Sequence, residues 1–261
     1  MTKQRAFDVL GNIAVVNFPR DATISDKKKF ANKILKENKA VTTVLEKVGN
    51  FKGRLRKMMT RYLAGEKTKE VLYKENNCEF RFNIDTTYFS PRLSNERREI
   101  ASLIKKGERV LVMFAGVAPY SVVIGKNSKA GKIYSNEINR EANKYAKMNV
   151  ERNKLRDKVE LVSGDIKRLV KQGKIKDKFD VVVMPRPRLK DSFLSEAFAL
   201  SKKGTRIYYY DFCPVEEVDF IVEKVKKEAS LAKKKIRILR VKKAGEIAPY
   251  KIRVRVDFQV L

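Results

Sequence analysis

From about residue 85 onward, short apolar runs alternate along the chain with longer amphipathic stretches. The runs that predict strands are Val110–Phe114, Lys132–Asn136, Val159–Val162, Phe179–Met184, Arg206–Tyr210, Ile236–Val241 and Tyr250–Val260. Alternation of strands and helices predicts an α/β fold with a mostly parallel seven-stranded sheet covered by helices on both faces. The last two strands have no helix of ordinary length between them, so we expect an antiparallel hairpin at one end of the sheet.

The beginning of the chain shows a different pattern and predicts a small α+β domain. Ile13–Phe18 is an apolar strand, and Ser25 and Asp26 are candidate caps for the helix that follows it. We therefore divide the chain into a small domain of residues 1–84 and a larger α/β domain of residues 85–261.

Lysine and arginine outnumber the acidic residues by 60 to 31, which gives the 261-residue chain a net charge of +29. So large a positive charge attracts polyanions such as nucleic acids. Two alternatives stay open: a charged surface that serves solubility or heat stability, and attraction to an acidic membrane surface. The membrane alternative is the weaker one, because the basic residues are spread along the chain and form no amphipathic anchor.

The composition excludes several kinds of site. The chain contains no histidine, which rules out histidine-based catalytic triads and histidine-rich metal sites, and we expect no metal. Cys78 and Cys213 lie far apart without a CxxC spacing, which argues against a disulfide framework and for a reducing compartment. Because no apolar run is long enough to span a membrane and no signal peptide is recognisable, we expect a cytoplasmic protein, and we expect it to be a monomer.

Small and acidic residues follow three neighbouring predicted strands. The turn Ala115–Ala118 follows the first strand, Glu137 ends the second, and Asp165 follows the third. Each has an ordinary explanation: a tight connection, a strand-end acid, or a cap for the helix that starts at Ile166. Together they lie at the carboxyl ends of parallel strands, where open α/β sheets bind ligands. Turn amides and an acid that accepts ribose hydroxyls predict a nucleotide-like cofactor.

Two further features are candidates for contact with a substrate. Pro185, Arg186 and Pro187 follow the fourth strand, where the prolines stiffen either a wall beside a flat base or an ordinary rigid loop. The basic runs Arg54–Arg61 and Arg92–Arg98 are candidates for phosphate binding, with a solvated surface as the alternative for any one arginine.

Six segments of the chain together form a recognisable pattern: Tyr88–Leu93 (YFSPRL), Glu96-Arg97, Met113–Val117 (MFAGV), Glu137–Asn139, Gly164-Asp165 and Ala248–Tyr250. In these segments the chain resembles the archaeal and eukaryotic tRNA (guanine-N1)-methyltransferases that act at position 37, beside the anticodon. The similarity covers nearly the whole chain, but the family's extra N-terminal domain is not recognised in it. The resemblance implies a Rossmann-like class I methyltransferase fold, S-adenosyl-L-methionine as the cofactor and tRNA as the partner.

The resemblance also implies roles for individual residues. Glu137 would hold the ribose hydroxyls of the cofactor, and Asp165 the adenine amine. Glu96 would take the proton from guanine N1, and Arg56 would stabilise negative charge on the guanine oxygen. The other cofactor-binding residues expected are Tyr88, Arg92, Arg97, Phe114 and Gly116. The candidate substrate-binding residues are Arg54, Arg61, Pro185, Arg186 and Pro187.

The chain departs from the family's pattern at several positions. Val112 stands where the family usually has an acid, Ala118 replaces a glycine of the turn, and Pro185 removes a side-chain amide that could read the base. Two alternatives therefore stay open beside the methyltransferase. One is an aminocarboxypropyl transferase of wybutosine-type tRNA modification, which uses the same cofactor. The other is a non-catalytic basic RNA-binding protein whose cofactor pocket has decayed.

Overall fold

The structure, a computed structural model, describes residues 7–49 and 57–261. Its strands are β1 (Phe7–Leu10), β2 (Ile13–Val16), β3 (Thr43–Lys47), β4 (Thr60–Gly65), β5 (Glu70–Glu75), β6 (Cys78–Asn83), β7 (Arg109–Val112), β8 (Lys132–Glu137), β9 (Val159–Ser163), β10 (Phe179–Met184), β11 (Ser201–Pro214), β12 (Ile236–Ala248) and β13 (Lys251–Val260). Its helices are α1 (Ile24–Glu37), α2 (Ser94–Ser102), α3 (Pro119–Asn127), α4 (Arg140–Arg152), α5 (Ile166–Lys171), α6 (Leu194–Ala199) and α7 (Val218–Leu231).

Strands β1 to β4 form a four-stranded sheet on which α1 packs. β2 and β3 are parallel and are connected through α1, whereas β1–β2 and β3–β4 are antiparallel pairs. Ala31 and Ile34 form the buried face of α1. The helix begins before the predicted caps Ser25 and Asp26, because the hydroxyl of Thr23 accepts the backbone N–H of Asp26 at 3.1 Å.

The larger sheet has the strand order β9-β8-β7-β10-β11-β13-β12. Among the described strands, β7 to β11 pair with one another in parallel. β13 runs antiparallel to both of its neighbours, β11 and β12. The predicted mostly parallel seven-stranded sheet is confirmed, together with its terminal hairpin. β11 is longer than the predicted strand Arg206–Tyr210, because its pairing with β13 continues as far as Pro214.

Both faces of the larger sheet are buried, which explains why its strands read as continuous apolar runs. In β7, Val110 and Val112 belong to the apolar cluster on one face, and Leu111 belongs to the cluster on the other. Within residues 7–49 and 57–261, no helix is long and apolar enough to cross a membrane. The same residues contain no group of three or more cysteine or acidic side chains placed to hold a metal ion.

The β5–β6 hairpin packs on α4, on one face of the larger sheet. Asn149 accepts the backbone N–H of Arg81 at 2.7 Å, and Asn153 accepts that of Glu79 at 3.0 Å. The predicted domain boundary at residue 84 thus falls just after a hairpin that is attached to the larger sheet. From this hairpin the chain leads into the segment Tyr88–Leu93, which borders the site described next.

Candidate functional site

A cleft opens at the carboxyl ends of β7 to β10, the edge of the sheet where the sequence predicts the cofactor. It encloses about 990 Å³, including the part that is open to solvent. The predicted site residues that line it are Tyr88, Arg97, Phe114, Gly116, Glu137, Asp165, Pro185, Arg186 and Pro187. Arg92, Glu96 and Arg61 lie elsewhere. Arg54 and Arg56 fall outside the described residues, so their expected roles stay predictions.

The turn between β7 and α3 borders the cleft with strained backbone. Phe114, Gly116 and Ala118 have φ angles of 57°, 58° and 66°, in the left-handed region. That region costs a non-glycine residue about 1 kcal/mol, and such strain concentrates at ligand sites. Ala118, one of the departures from the family's pattern, is compatible with the turn, since its N–H donates to the carbonyl of Ala115 at 2.9 Å.

Glu137, the last residue of β8, connects two backbone segments beside the cleft. One carboxylate oxygen accepts the N–H of Gly116 at 2.7 Å, and the other accepts the N–H of Asn139 at 2.7 Å. A carboxylate accepts hydrogen bonds through both of its oxygens, and ribose hydroxyls are suitable donors for it. The side chain of Asn139 donates to the carbonyl of Thr86 at 2.9 Å and so ties Glu137 to the segment before Tyr88.

Asp165 caps α5 and lines the same cleft. Its Oδ1 accepts the N–H of Lys167 at 2.9 Å, so the capping interpretation holds, and its expected bond to an adenine amine stays a prediction. Apolar side chains complete the lining, among them Ile138, Ala142, Ile166 and Leu189. Phe193 packs edge-on against Phe114 with ring centres 5.0 Å apart, although neither periodicity nor a motif pointed to Phe193. The residues present therefore fit a ligand that combines a diol with a flat ring.

Arg186 does not present its charge to a substrate, which corrects its expected role. Its guanidinium is buried and pairs with Asp211, and its Nη2 donates to the carbonyls of Leu189 and Asp191 at 2.6 and 2.5 Å. One planar cation with several N–H donors thus holds the loop after β10 in a fixed shape. Arg186 supports this wall of the cleft, while the two prolines beside it form part of the wall surface.

Arg97 lines the cleft, but its charge is paired within the protein, and its expected contact with the cofactor stays a prediction. Its guanidinium forms a two-pronged ion pair with Glu75, in which Nη2 and Oε2 are 2.5 Å apart, and it also donates to the carbonyl of Ser90 at 3.0 Å. The two side chains are only 1% and 3% exposed. Sequence reasoning missed Glu75 because it lies 22 positions away in the β5–β6 hairpin and belongs to no recognisable motif.

Glu96 lies in a buried ionic network. In the described part of the chain it lines neither this cleft nor a second cavity, which is described below. Its Oε2 accepts bonds from Arg255 at 2.8 Å and from the hydroxyl of Tyr210 at 3.0 Å, while Oε1 lies 2.6 Å from the ammonium of Lys242. Arg255 is fully buried and also pairs with Glu99 at 2.7 Å. A general base needs a lone pair directed at the substrate, whereas both oxygens here are engaged by cations. This location of Glu96 differs from the one that the resemblance implies. The ionic network connects α2 to β12 and β13.

Glu99, at the edge of this network, makes the stability of the fold depend on pH. Burial raises the pKa of its carboxyl, but hydrogen bonds from Lys242 and Arg255 outweigh burial and lower the pKa to about 2. A depressed pKa stabilises the folded chain at pH values above the unfolded pKa, and that contribution is lost as the pH falls from about 4.5 to about 2.

We expect Glu99→Gln to lower the free energy of unfolding by about 2 kcal/mol at neutral pH and by little at the acid end of this range.

Urea titrations of both proteins across this pH range measure the difference. Glu223→Gln is the matched control, because it removes an exposed partner of Lys226 on α7, 2.7 Å away. Its unfolding free energy should follow that of the parent at every pH. A constant difference between Glu99→Gln and the parent from neutral to acid pH would contradict the prediction.

A second cavity adjoins the cleft, between the N-terminal sheet and the β12–β13 hairpin. It encloses about 1530 Å³, including its open part. Its charged lining residues are Lys47, Arg92, Arg188, Arg253, Asp8 and Glu246. Arg92 therefore borders this cavity rather than the cofactor cleft, with Nη2 3.7 Å from the carboxylate of Asp8. Arg61 lines neither space in the described part of the chain and lies 3.8 Å from Glu46.

The chain is similar to known protein families over most of its length. The TRM5/TYW2 methyltransferase domain matches residues 71–239, and the TYW2 N-terminal domain matches residues 2–68. A relative from Nanoarchaeum equitans, the tRNA (guanine(37)-N(1))/4-demethylwyosine(37)-methyltransferase Taw22, is 31% identical to this chain. The alignment covers 98% of this chain and 100% of the relative.

Solved structures show the same fold. A complex of aTrm5 with tRNALeu superposes with a TM-score of 0.85 at 26% identity, covering 98% of this chain and 72% of that one. Methanocaldococcus jannaschii Trm5 in complex with adenosine superposes with a TM-score of 0.79 at 25% identity, again covering 98% of this chain and 72% of the other.

Proposed function

We propose that this chain, which belongs to the TRM5/TYW2 methyltransferase family, is an S-adenosyl-L-methionine-dependent tRNA methyltransferase that methylates N1 of guanosine 37. Family membership confirms the resemblance found in the sequence, together with the class I methyltransferase fold that it implied. The proposal also includes tRNA as the partner, and the monomeric state and cytoplasmic location expected from the sequence.

The observation that carries the proposal is the cleft built around Glu137. Its carboxylate fixes the strained turn at Gly116 and is the acceptor for the ribose hydroxyls of the cofactor. Asp165 is the acceptor for the adenine amine, and Tyr88 and Phe114 enclose the methionine end. When bound, S-adenosyl-L-methionine supplies an electrophilic methyl group on a sulfonium sulfur, which departs as a neutral thioether. Much of the acceleration of such a transfer comes from in-line positioning, which rigid walls supply.

The second cavity is the proposed place of the substrate purine. It adjoins the cofactor cleft, since Tyr88, Phe89, Ser90, Leu93 and Arg253 line both. Arginine and lysine predominate over acids among its charged residues, as the phosphates of an anticodon loop require. We therefore assign Arg92 to the substrate side, together with Arg188.

Guanine N1 is a poor nucleophile until it loses its proton. Glu96 is the acceptor that the family resemblance implies, and in this proposal its carboxylate must first release Lys242 or Arg255. Arg56, outside the described residues, is the proposed partner of the guanine oxygen. A carboxylate base of this kind typically accelerates a reaction by about 10²- to 10⁴-fold.

A second substrate, 4-demethylwyosine at the same tRNA position, is favoured by one specific observation. The Nanoarchaeum equitans relative, whose full length this chain covers, is named for both activities. The roomy second cavity suits a tricyclic base as well as guanine.

Methyl transfer tests the proposal directly. The full chain is incubated with labelled S-adenosyl-L-methionine and tRNA transcripts that carry guanosine or adenosine at position 37, and also with tRNA that carries 4-demethylwyosine. We expect label in the guanosine transcript, and mass spectrometry of the nucleosides should give 1-methylguanosine. Background incorporation in every tRNA would overturn the proposal, and an aminocarboxypropyl adduct would replace it with the other transferase activity.

Arg188→Ala is expected to weaken tRNA binding and to reduce the slope of log Kd against log salt by about 1, because it removes one phosphate-neutralising charge from the second cavity. Arg152→Ala is the control, since Arg152 lies on α4, 3.6 Å from Glu79, and lines neither cavity in the described chain. Fluorescence anisotropy with labelled tRNA at several salt concentrations measures both slopes. Equal slopes for the two variants would remove Arg188 from the tRNA site.

A further inference from the structure

Arg253 lies where the cofactor cleft and the second cavity meet, and it lines both together with Tyr88 and Phe89. Building on the proposed function, we infer that Arg253 is a catalytic residue that contacts the substrate purine. Its guanidinium donates to O6 of the guanine in addition to the contact proposed for Arg56, since a carbonyl oxygen has two lone pairs, and it stabilises the negative charge that develops there during methylation at N1.

The charge of Arg253 is available to a ligand. Among the described residues, no carboxylate lies within 4.0 Å of its guanidinium nitrogens. Neighbouring arginines differ in this respect: Arg97 is bound to Glu75, and Arg92 lies 3.7 Å from Asp8. A cation that keeps its N–H donors at the boundary of two cavities is suited to an oxygen that becomes anionic.

Strands β11 and β13 fix the position of this guanidinium. Arg253 pairs with Phe212 across the two strands, and its Cζ lies 5.0 Å from the centre of that ring. The aromatic face holds the planar cation without using its N–H groups. Two residues further along the same face of β13, Arg255 is tied to Glu96 and Glu99 of α2. The buried network therefore also anchors the strand that carries Arg253.

The chemistry explains why a cation is needed at O6. The N1 proton passes to Glu96 as proposed above, and an N1 electron pair forms the new bond to carbon while the carbon–sulfur bond breaks with its electrons on sulfur. Once the proton leaves, negative charge is shared between N1 and O6. A fixed donor aimed at such an oxygen is worth about 10²- to 10³-fold in rate.

Single-turnover methylation of the guanosine 37 transcript, at saturating cofactor and tRNA and over a range of pH, tests the inference. We expect Arg253→Ala to be slower than the parent by about 100-fold or more, with the rise of rate displaced to higher pH. Arg253→Lys keeps the charge without the forked geometry and should fall between the two. The control is Lys251→Ala, an exposed charge on the same strand outside both cavities, which should leave the rate near that of the parent.

Two further measurements separate catalysis from folding and binding. Cofactor affinity by calorimetry should be unchanged in Arg253→Ala, and added guanidinium ion should restore part of its rate. A single-turnover rate equal to that of Lys251→Ala would overturn the inference, as would a loss confined to KM for tRNA. If Arg253→Ala does not fold, Arg253→Lys is measured instead, and a pH profile of its rate equal to that of the parent would also overturn the inference. A parent chain that transfers no methyl group to guanosine 37 overturns the proposed function instead.

Discussion

Glu137→Gln is expected to weaken the binding of S-adenosyl-L-methionine by about 100-fold or more. The carboxylate accepts two backbone N–H bonds, from Gly116 and Asn139, both at 2.7 Å. Glutamine has one acceptor oxygen and one amino group, so a donor would face one of these N–H groups and leave it unsatisfied. The turn that borders the cleft loses its anchor, and the ribose hydroxyls lose a charged acceptor. Isothermal titration with S-adenosyl-L-methionine and with S-adenosylhomocysteine measures the loss.

A matched control for this prediction lies four residues away. Glu141→Gln removes the same charge from the exposed first turn of α4, where Glu141 pairs with Lys144 at 2.7 Å. Its cofactor affinity should equal that of the parent, and both variants should remain folded by circular dichroism. If Glu137→Gln binds the cofactor as tightly as Glu141→Gln does, the diol site is wrongly assigned.

Glu137 also shows why part of the site can be predicted from sequence. A strand of a parallel sheet is a local pattern, and the residue that ends it lies at the carboxyl edge whatever its distant neighbours are. Glu137 and Gly116 follow from this rule, as does the position of Asp165. The mostly parallel sheet follows from the same local alternation of apolar and amphipathic segments.

The contacts that the sequence could not predict are those between residues that are distant in the chain. Glu96 bonds to Arg255, 159 positions away, and Arg186 pairs with Asp211, 25 positions away. A motif gives the residue types, but it does not reveal which acid will pair with which arginine once the sheet has formed. In a chain with 60 basic residues, many pairings are compatible with the same local pattern. Arg92 is a further example, because it borders only the second cavity although its neighbours Tyr88 and Ser90 line both spaces.

Arg97→Met is expected to lower the free energy of unfolding by about 3 to 5 kcal/mol, because it leaves the carboxylate of Glu75 buried without a cation. The pair is almost fully enclosed, at 1% and 3% exposure, and the guanidinium lies 4.9 Å from the ring centre of Phe89. The double variant Arg97→Met/Glu75→Met should recover most of this loss, since two apolar side chains can replace a buried ion pair. Urea unfolding of the four members of the cycle gives the coupling energy between the two residues.

Lys33→Ala, which removes an exposed ion pair on α1, is the control and should cost less than about 1 kcal/mol. A double variant as unstable as Arg97→Met would show that the destabilisation comes from lost packing against Phe89 and not from an unpaired buried charge.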